Sequence, residues 1–403
     1  MQNSVMGIAQ DGLSAVNMFQ PSLLAEDFLE QHYVFRRNVL RGQVEYRRIE
    51  EDESLFRPLT QEALNSIFLA SKRALGEDVD IRSDIKMIVD SEEPENYNPV
   101  EQWLSALPAW DGEDRVMDFW RRIPGLSVEQ VYLLSIWHRS CVVHWLGMDR
   151  EHANECVPLL IGDQGCGKST FCLRLLPQHL RTYYMDHFNL VNKFDKEMAL
   201  SNSLLICLDE MDQYKTGQMA ELKQALSKVC INGRRIYGRT IDMRKRFASF
   251  IATTNNRHPL CDPTGSRRYI CLEVPKGQQI DNLTAIDYDQ LYAQLVHEVT
   301  TLQQRSWFTR EETIRLQELN ASYEKAIDLQ QMLTMFFSVP DTKDASERVS
   351  IQQIRQTLKE EFPNIPEATL SSERIGRAMR SLSFESQRGK KGMYYMVAFR
   401  KAA

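Results

Sequence analysis

The segment Gly162-Asp163-Gln164-Gly165-Cys166-Gly167-Lys168-Ser169 constrains this chain more than any other stretch. It reads G-x-x-x-x-G-K-S, a pattern whose meaning depends on its setting. The apolar run Cys156–Ile161 precedes it, and a helix-compatible stretch, Thr170–Leu176, follows. A strand that turns through glycines into a helix aims backbone N–H groups and the positive end of a helix dipole at one point. Gly162, Gly165 and Gly167 allow that inward turn, and a phosphate is the ligand it suits. Lys168 is then expected to reach the β- and γ-phosphates of ATP and Ser169 to coordinate Mg²⁺. Asp163, Gln164, Cys166 and Thr170 complete the expected cradle. A glycine-rich turn with no ligand is the bland alternative, and the flanks argue against it.

Such a cradle should be followed by a strand that ends in a metal-directed acid. Leu204-Leu-Ile-Cys-Leu-Asp209-Glu210 supplies one, 41 positions beyond Lys168. Asp209 is expected to hold the metal and Glu210 to act as general base toward the attacking water. The run Phe250-Ile-Ala-Thr-Thr-Asn255 ends in a polar residue 46 positions past Asp209. Asn255 is expected between the two motifs, orienting that water. Arg267 and Arg268 come next, and a guanidinium that reaches a neighbouring subunit's γ-phosphate is worth about 10³–10⁵ in rate. Which arginine fills the role is open at this point, as is a plain surface role for both. Asn192-Lys-Phe-Asp195 has the N-K-x-D form of guanine-specific proteins but precedes the acid instead of following it, so Asp195 is read as a helix N-cap.

The rest of the chain divides on pattern. Residues 1–95 mix a strand pair over Tyr33–Arg48 with a helix over Thr60–Leu75, and the polar stretch Asp90–Asn98 reads as a linker. Residues 96–154 form a helical lead-in centred on Val128–Leu146. Between 155 and 300, short apolar runs alternate with helices, the signature of a largely parallel sheet. Residues 301–338 are read as a helical connector, with one long helix over Thr309–Phe337 opened by the capping box Thr309-x-x-Glu312. In 339–403, helices from Ser350 and Ser372 lead to a hairpin over Phe384–Arg388 and Met393–Phe399, the order of a winged helix.

Bulk properties exclude several classes. The 403 residues imply two or three domains, and 43% apolar and 26% charged residues are ordinary for a globular protein. A net charge of −6 gives no global nucleic-acid signature, so any such contact must be local. No membrane span, secretory signal, zinc site or disulfide framework is expected, and the reading is cytoplasmic. All eight cysteines lie between Cys141 and Cys271 with no CxxC pair.

The chain resembles the virulence-associated protein E family over about residues 95–275. The resemblance rests on Trp110-Asp-Gly112 with Arg115, the loop Gly162–Thr170, Leu208-Asp-Glu210, Tyr237-Gly-Arg239, Ala252-Thr-Thr-Asn255 and Pro263-Thr-Gly-Ser-Arg-Arg268. It implies an α/β fold with a P-loop NTPase core of the AAA+/superfamily 3 helicase type. Around that core are expected a mixed α+β N-terminal region and a C-terminal winged-helix-like domain. It also implies an ATPase of a phage or mobile element. The N-terminal region shows no acid cluster of a primase site, so priming is not assigned.

Superfamily 3 helicases grip DNA with a hairpin between the acidic and polar strands. The corresponding interval here, 231–247, carries Arg234, Arg235, Arg239, Arg244, Lys245 and Arg246 against the single acid Asp242, with Asn232-Gly233 as a turn signal. Arg239 has a second reading, toward the nucleotide. A further basic face is expected from Arg374, Arg377 and Arg380, with Arg388, Lys390 and Lys391 crowding the C-terminal hairpin. The leading expectation is a DNA-dependent motor on single-stranded or forked DNA. Its expected partners are copies of itself in a ring (six subunits being one size allowed) and a primase or other replication protein. The alternatives are an ATP-switched regulatory or defence protein and, more weakly supported, a small-molecule kinase.

Overall fold

The computed structural model describes residues 21–148, 151–214, 216–234, 241–260, 266–324, 329–340, 346–362, 365, 369–389 and 392–399. The chain divides into two compact units, residues 1–255 with 272–309, and residues 256–271 with 310–403.

The first unit opens with helix α1 (residues 21–32) and the antiparallel pair β1 (Tyr33–Asn38) and β2 (Gln43–Arg48). Strand β3 (Arg57–Pro58) extends the sheet beyond β2, and helices α2 (Gln61–Leu75) and α3 (Arg82–Asp90) follow. Phe28, Leu29, Leu64, Ile67, Ile85 and Val89 close a small core between helices and sheet. The stretch read as a linker is not one. Glu95–Tyr97 forms β4, parallel to β1 with Asn96 opposite Arg37, and gives the order β3-β2-β1-β4. The sheet is tied to the rest of the unit by Asn38, whose Nδ2 donates to Glu45 Oε1 (2.7 Å) and to the Tyr183 hydroxyl (2.8 Å).

Helices α4 (Pro99–Ser105), α5 (Arg115–Trp120) and α6 (Val128–Leu146) come next. Ser127 and Gln130 form a reciprocal capping box at the start of α6, and Gly147, at φ +66°, ends it in the left-handed region that glycine favours. Nearly every side chain from Leu133 to Trp145 is buried, as suits a helix enclosed on all sides.

The parallel sheet is built from β5 (Val157–Ile161), β6 (Tyr184–Met185), β7 (Leu205–Leu208), β10 (Ser249–Thr254) and β11 (Tyr269–Glu273), in the order β11-β5-β10-β7-β6. Strands β5, β10, β7 and β6 are parallel to one another. Every residue of β5, β7 and β10 is buried, because a parallel sheet covered on both faces exposes neither side. Helix α7 (Lys168–Leu173) follows β5, α8 (Lys193–Asn202) leads to β7, α9 (Thr216–Leu226) follows it, and α10 (Tyr288–Thr300) packs with α5 and α6. The α8 N-cap is Asn192, whose side chain accepts from the backbone N–H of Phe194 and Asp195; Asp195, read as the cap, lies in the first turn. Strands β8 (Cys230–Arg234) and β9 (Ile241–Lys245) pair antiparallel. Asn232 and Gly233 are ladder residues of β8 facing Met243 and Asp242, so the turn lies beyond them, outside the described residues.

In the second unit, the turn Ser266–Arg268 packs on α11 (Arg310–Asn320), where Asn320 Nδ2 donates to the carbonyls of Ser266 and Tyr269 at 2.7 Å each. The long helix expected over Thr309–Phe337 is interrupted. A 3-10 turn at Ala321–Tyr323 follows α11, Glu324 bridges to Leu260, and α12 (Leu329–Phe336) is a separate helix. The order then runs β12 (Phe337–Ser338), β13 (Glu347–Ser350), α13 (Ile351–Glu361), α14 (Ser372–Ser381), β14 (Ser386–Gly389) and β15 (Gly392–Phe399). Strand β15 pairs antiparallel with β12, β13 and β14. One core joins Leu329, Leu333 and Phe337 to Ile354, Met379 and Tyr395, so α12 belongs to this module and not to a connector. Among the described residues, no helix is long and apolar enough to cross a membrane.

Candidate functional site

Strands β5, β10 and β7 are neighbours, and each ends at the same edge of the sheet in the residues singled out above. The crevice beyond the carboxyl ends of parallel strands is where open α/β sheets bind ligands. After Ile161, Gly162 N–H donates to Thr254 O (3.3 Å), which carries the loop off the sheet beside β10. Gly165 and Gly167 sit at φ +84° and +93°, a region that penalises any Cβ. At Gly167 space forbids one as well, since a Cβ would lie 2.4 Å from Asn282 Nδ2. Asn282 Nδ2 donates to Gly167 O (2.9 Å) and Ile280 N–H to Cys166 O (3.0 Å), so the segment after β11 grips the loop from behind.

The Lys168 ammonium is buried and makes a three-way bridge. It donates to Gly162 O (2.8 Å), Asp163 O (2.9 Å) and Asn255 Oδ1 (2.9 Å), linking the loop to the end of β10. Ser169 Oγ donates to Asp209 Oδ1 (3.2 Å), linking α7 to the end of β7. Asp163, Gln164, Ser169 and Thr170 are exposed at the mouth, while Cys166 is buried beneath it. The loop, Asp209, Glu210 and Asn255 are therefore brought together at one end of the sheet.

Thr253 is a residue the sequence reading missed. Its hydroxyl donates to Asp209 Oδ1 and accepts from the backbone N–H of Glu210 (3.4 Å). Glu210 stands at φ +50°, ψ +51°, a left-handed conformation that costs a non-glycine residue of order 1–3 kcal/mol. Its carboxylate accepts from Gln213 Nε2. Period-2 alternation along the run Phe250–Asn255 groups Thr253 with Asn255, and that is the sequence signal that could have found Thr253. Asn282, by contrast, arrives from a loop with no local pattern.

The remaining candidates scatter. Arg267 and Arg268 lie on the Ser266–Arg268 turn of the second unit. Arg234 ends β8; Arg235 and Arg239 fall outside the described residues. Arg244 is half-buried on β9 and Lys245 is exposed. Arg246 does not belong with them. It is 1% exposed and donates to five backbone carbonyls, those of Ala248, Ala225, Leu226, Lys228 and Asn154, at 2.6–3.3 Å. A guanidinium 1% exposed and turned toward internal carbonyls cannot reach a phosphate in solvent, so its place in the basic cluster is corrected to a structural one. Arg374, Arg377 and Arg380 are exposed on α14, with Arg377 in an ion pair with Glu373 (2.9 Å). Lys390 and Lys391 lie outside the described residues.

Fold and site together define a mixed α/β protein in which a glycine-rich loop, an acidic pair and an asparagine meet at the ends of three adjacent parallel strands. This chain belongs to the virulence-associated protein E-like family, whose domain model matches residues 104–325. Apo structures of the NrS-1 C-terminal region are similar to it at low identity. One is 11% identical with a TM-score of 0.43 and covers 94% of this chain and 99% of that one. An A-form apo structure of the same region is 12% identical with a TM-score of 0.44, again covering 94% and 99%. No curated protein sequence matches the chain.

Proposed function

We propose that this protein is a P-loop ATPase of the AAA+/superfamily 3 type that couples ATP hydrolysis to movement on DNA in the replication of a phage or mobile element. The observation that carries the reading is the Lys168 bridge to Asn255 beside the Ser169–Asp209 contact. A cation, a hydroxyl, a carboxylate and an amide converge where a triphosphate, its metal and an attacking water must meet. Ser169 and Asp209 offer hard oxygen donors 3.2 Å apart, which suits Mg²⁺, an ion that keeps most of its shell for water and phosphate. Bound there, the metal supplies charge neutralisation at the β- and γ-phosphates. Lys168 adds a second cation, Glu210 removes the proton of the attacking water, and Asn255 orients that water. Arg267 or Arg268 of a neighbouring subunit is the proposed source of the last positive charge.

The nucleic-acid contacts fall to the β8–β9 hairpin, through Arg234, Arg235, Arg239, Arg244 and Lys245. The C-terminal module, with its helix–strand–strand–helix–helix–hairpin order, is proposed as a winged helix that docks through the Arg377 face of α14 and the Lys390–Lys391 turn. ATP hydrolysis measured with and without single-stranded and forked DNA tests the motor. Turnover should rise with DNA, and forked substrates should be unwound. Turnover indifferent to DNA, with no strand displacement, sinks the motor in favour of an ATP-driven switch.

Two variants test the division of labour. Glu210→Gln should cut turnover about 10²–10⁴-fold, the value of a general base, while ATP still binds. Thr253→Val should cut it at least about tenfold and raise the Mg²⁺ concentration needed for half-maximal rate, because Asp209 loses its fixed partner. Thr253→Ser, which keeps the hydroxyl, should stay near wild type. Equal loss in the Ser and Val variants would assign Thr253 to packing alone.

A further inference from the structure

A groove of about 1540 Å³ crosses the first unit between walls drawn from distant parts of the chain. Strand β1, the β1–β2 turn and β4 supply one wall; α8 and β9 supply the other. Arg37 and Arg41 line the first wall in fixed positions. Arg37 Nη2 donates to the carbonyls of Ser91 (2.6 Å) and Val89 (3.3 Å), and Arg41 Nη2 to the Thr182 carbonyl (3.4 Å) and hydroxyl. Neutral acceptors fix a guanidinium without cancelling its charge. Arg36 is a different case, since Glu45 at 2.8 Å neutralises it and the rings of Phe56 and Tyr97 sandwich it.

Lys86 of α3 and Lys245 of β9 reach the same groove and are exposed, and Arg244 lines it beside Lys245. Asp90, Glu95 and Glu101 are the opposing carboxylates, which leaves the lining net positive. Near them the amides of Asn96 and Gln102 offer both donors and acceptors, while that of Asn98 is taken up in capping α4. Fixed cations for a phosphate backbone, with amides able to meet unpaired base edges, match a single strand better than a duplex, whose edges are already paired.

We propose that this groove is a path for single-stranded nucleic acid and that the N-terminal sheet is its second wall. The inference rests on the nucleic-acid reading of the β8–β9 hairpin and gives the N-terminal region, which carries no recognisable motif, a role in the same contact.

Binding of labelled oligothymidine, followed by fluorescence anisotropy over a salt series, tests it with Lys86→Glu and Lys245→Glu made separately. Each should weaken binding at least about threefold and lower the slope of log affinity against log salt by about 0.7, one phosphate contact on a single strand. Lys86→Arg should keep both. Thermal unfolding of every variant should match wild type, since both lysines are exposed. Unchanged affinity and slope in Lys86→Glu, with Lys245→Glu weakened, removes the N-terminal wall and leaves the hairpin reading intact. No effect of either variant, or no binding by the wild type, overturns both. Tighter binding of duplex or polyglutamate than of oligothymidine overturns the single-strand assignment.

Discussion

Lys168→Ala should abolish ATP hydrolysis, lowering the rate by at least about 10²–10³, while the chain keeps its fold. The rate effect follows from what the ammonium is placed to do. Removing one positioned donor to developing charge costs about that factor in enzymes where it has been measured. Here the donor is also a full positive charge, shielded from bulk water and already ordered by three acceptors. The stability effect should be small, about 1–2 kcal/mol, because Gly162 and Asp163 lie in a partly exposed loop where water can enter the space the side chain vacates and bond the freed carbonyls. Lys168→Arg should fail almost as badly. A guanidinium is longer and spreads its donors over three nitrogens in a plane, so it cannot take the place of a compact ammonium seated among these acceptors. Hydrolysis measured beside the affinity for a fluorescent ATP analogue separates the steps. Binding should weaken about tenfold or more, with turnover falling further. Wild-type turnover in Lys168→Ala would remove the loop from the chemistry altogether.

How much of this was legible beforehand depended on how local the cause was. Loop, acidic pair and asparagine could be read because each is a short polar signal at the end of an apolar run, and a parallel sheet carries such ends to one edge. The place of Asn255 between Lys168 and Asp209 was expected by analogy with other ATPases, and the sheet order that puts β10 between β5 and β7 is what sets it there. Elements that depend on distant partners could not be read. Glu95–Tyr97 is polar and only three residues long; it is a strand because β1, nearly sixty residues earlier, offers it a free edge. The break after Asn320 is of the same kind. Helical periodicity continues through it, but the Asn320 side chain turns to the carbonyls of Ser266 and Tyr269, and Glu324 bridges to Leu260. Thr253 lay within reach of a strand-periodicity argument; Asn282 did not.

The run Arg244-Lys245-Arg246 is the sharpest example, because composition cannot tell its members apart, and it leads to the second large effect. Arg246→Met should destabilise the first unit by about 3–5 kcal/mol, because it leaves several buried carbonyls without a donor at about 1–3 kcal/mol each. The guanidinium is 1% exposed, and burial lowers its pKa only to about 10, so it remains a cation at neutral pH. Its five carbonyl acceptors explain how that charge is tolerated. Nη1 gathers the carbonyls of Ala225 (3.3 Å), Leu226 (2.6 Å) and Lys228 (2.7 Å) at the end of α9, where the helix dipole is negative. Nη2 reaches Asn154 O (3.2 Å) before β5, and Nε reaches Ala248 O (2.8 Å) at the entry to β10. One side chain therefore fixes the end of α9 against the approaches to the two strands that carry the loop and Asn255. Methionine would fill much of the volume but leave all five carbonyls without this donor. Lysine, with three donors on a single atom, should recover part of the loss. That intermediate keeps the measurement possible if the methionine variant does not fold. Urea unfolding should place the midpoints in the order wild type, Arg246→Lys, Arg246→Met, whereas Lys245→Ala, exposed one position earlier, should shift stability by no more than about 0.5 kcal/mol. Equal midpoints for wild type and Arg246→Met would mean that the carbonyl cluster is satisfied by other donors, and Arg246 would return to the basic face of the hairpin.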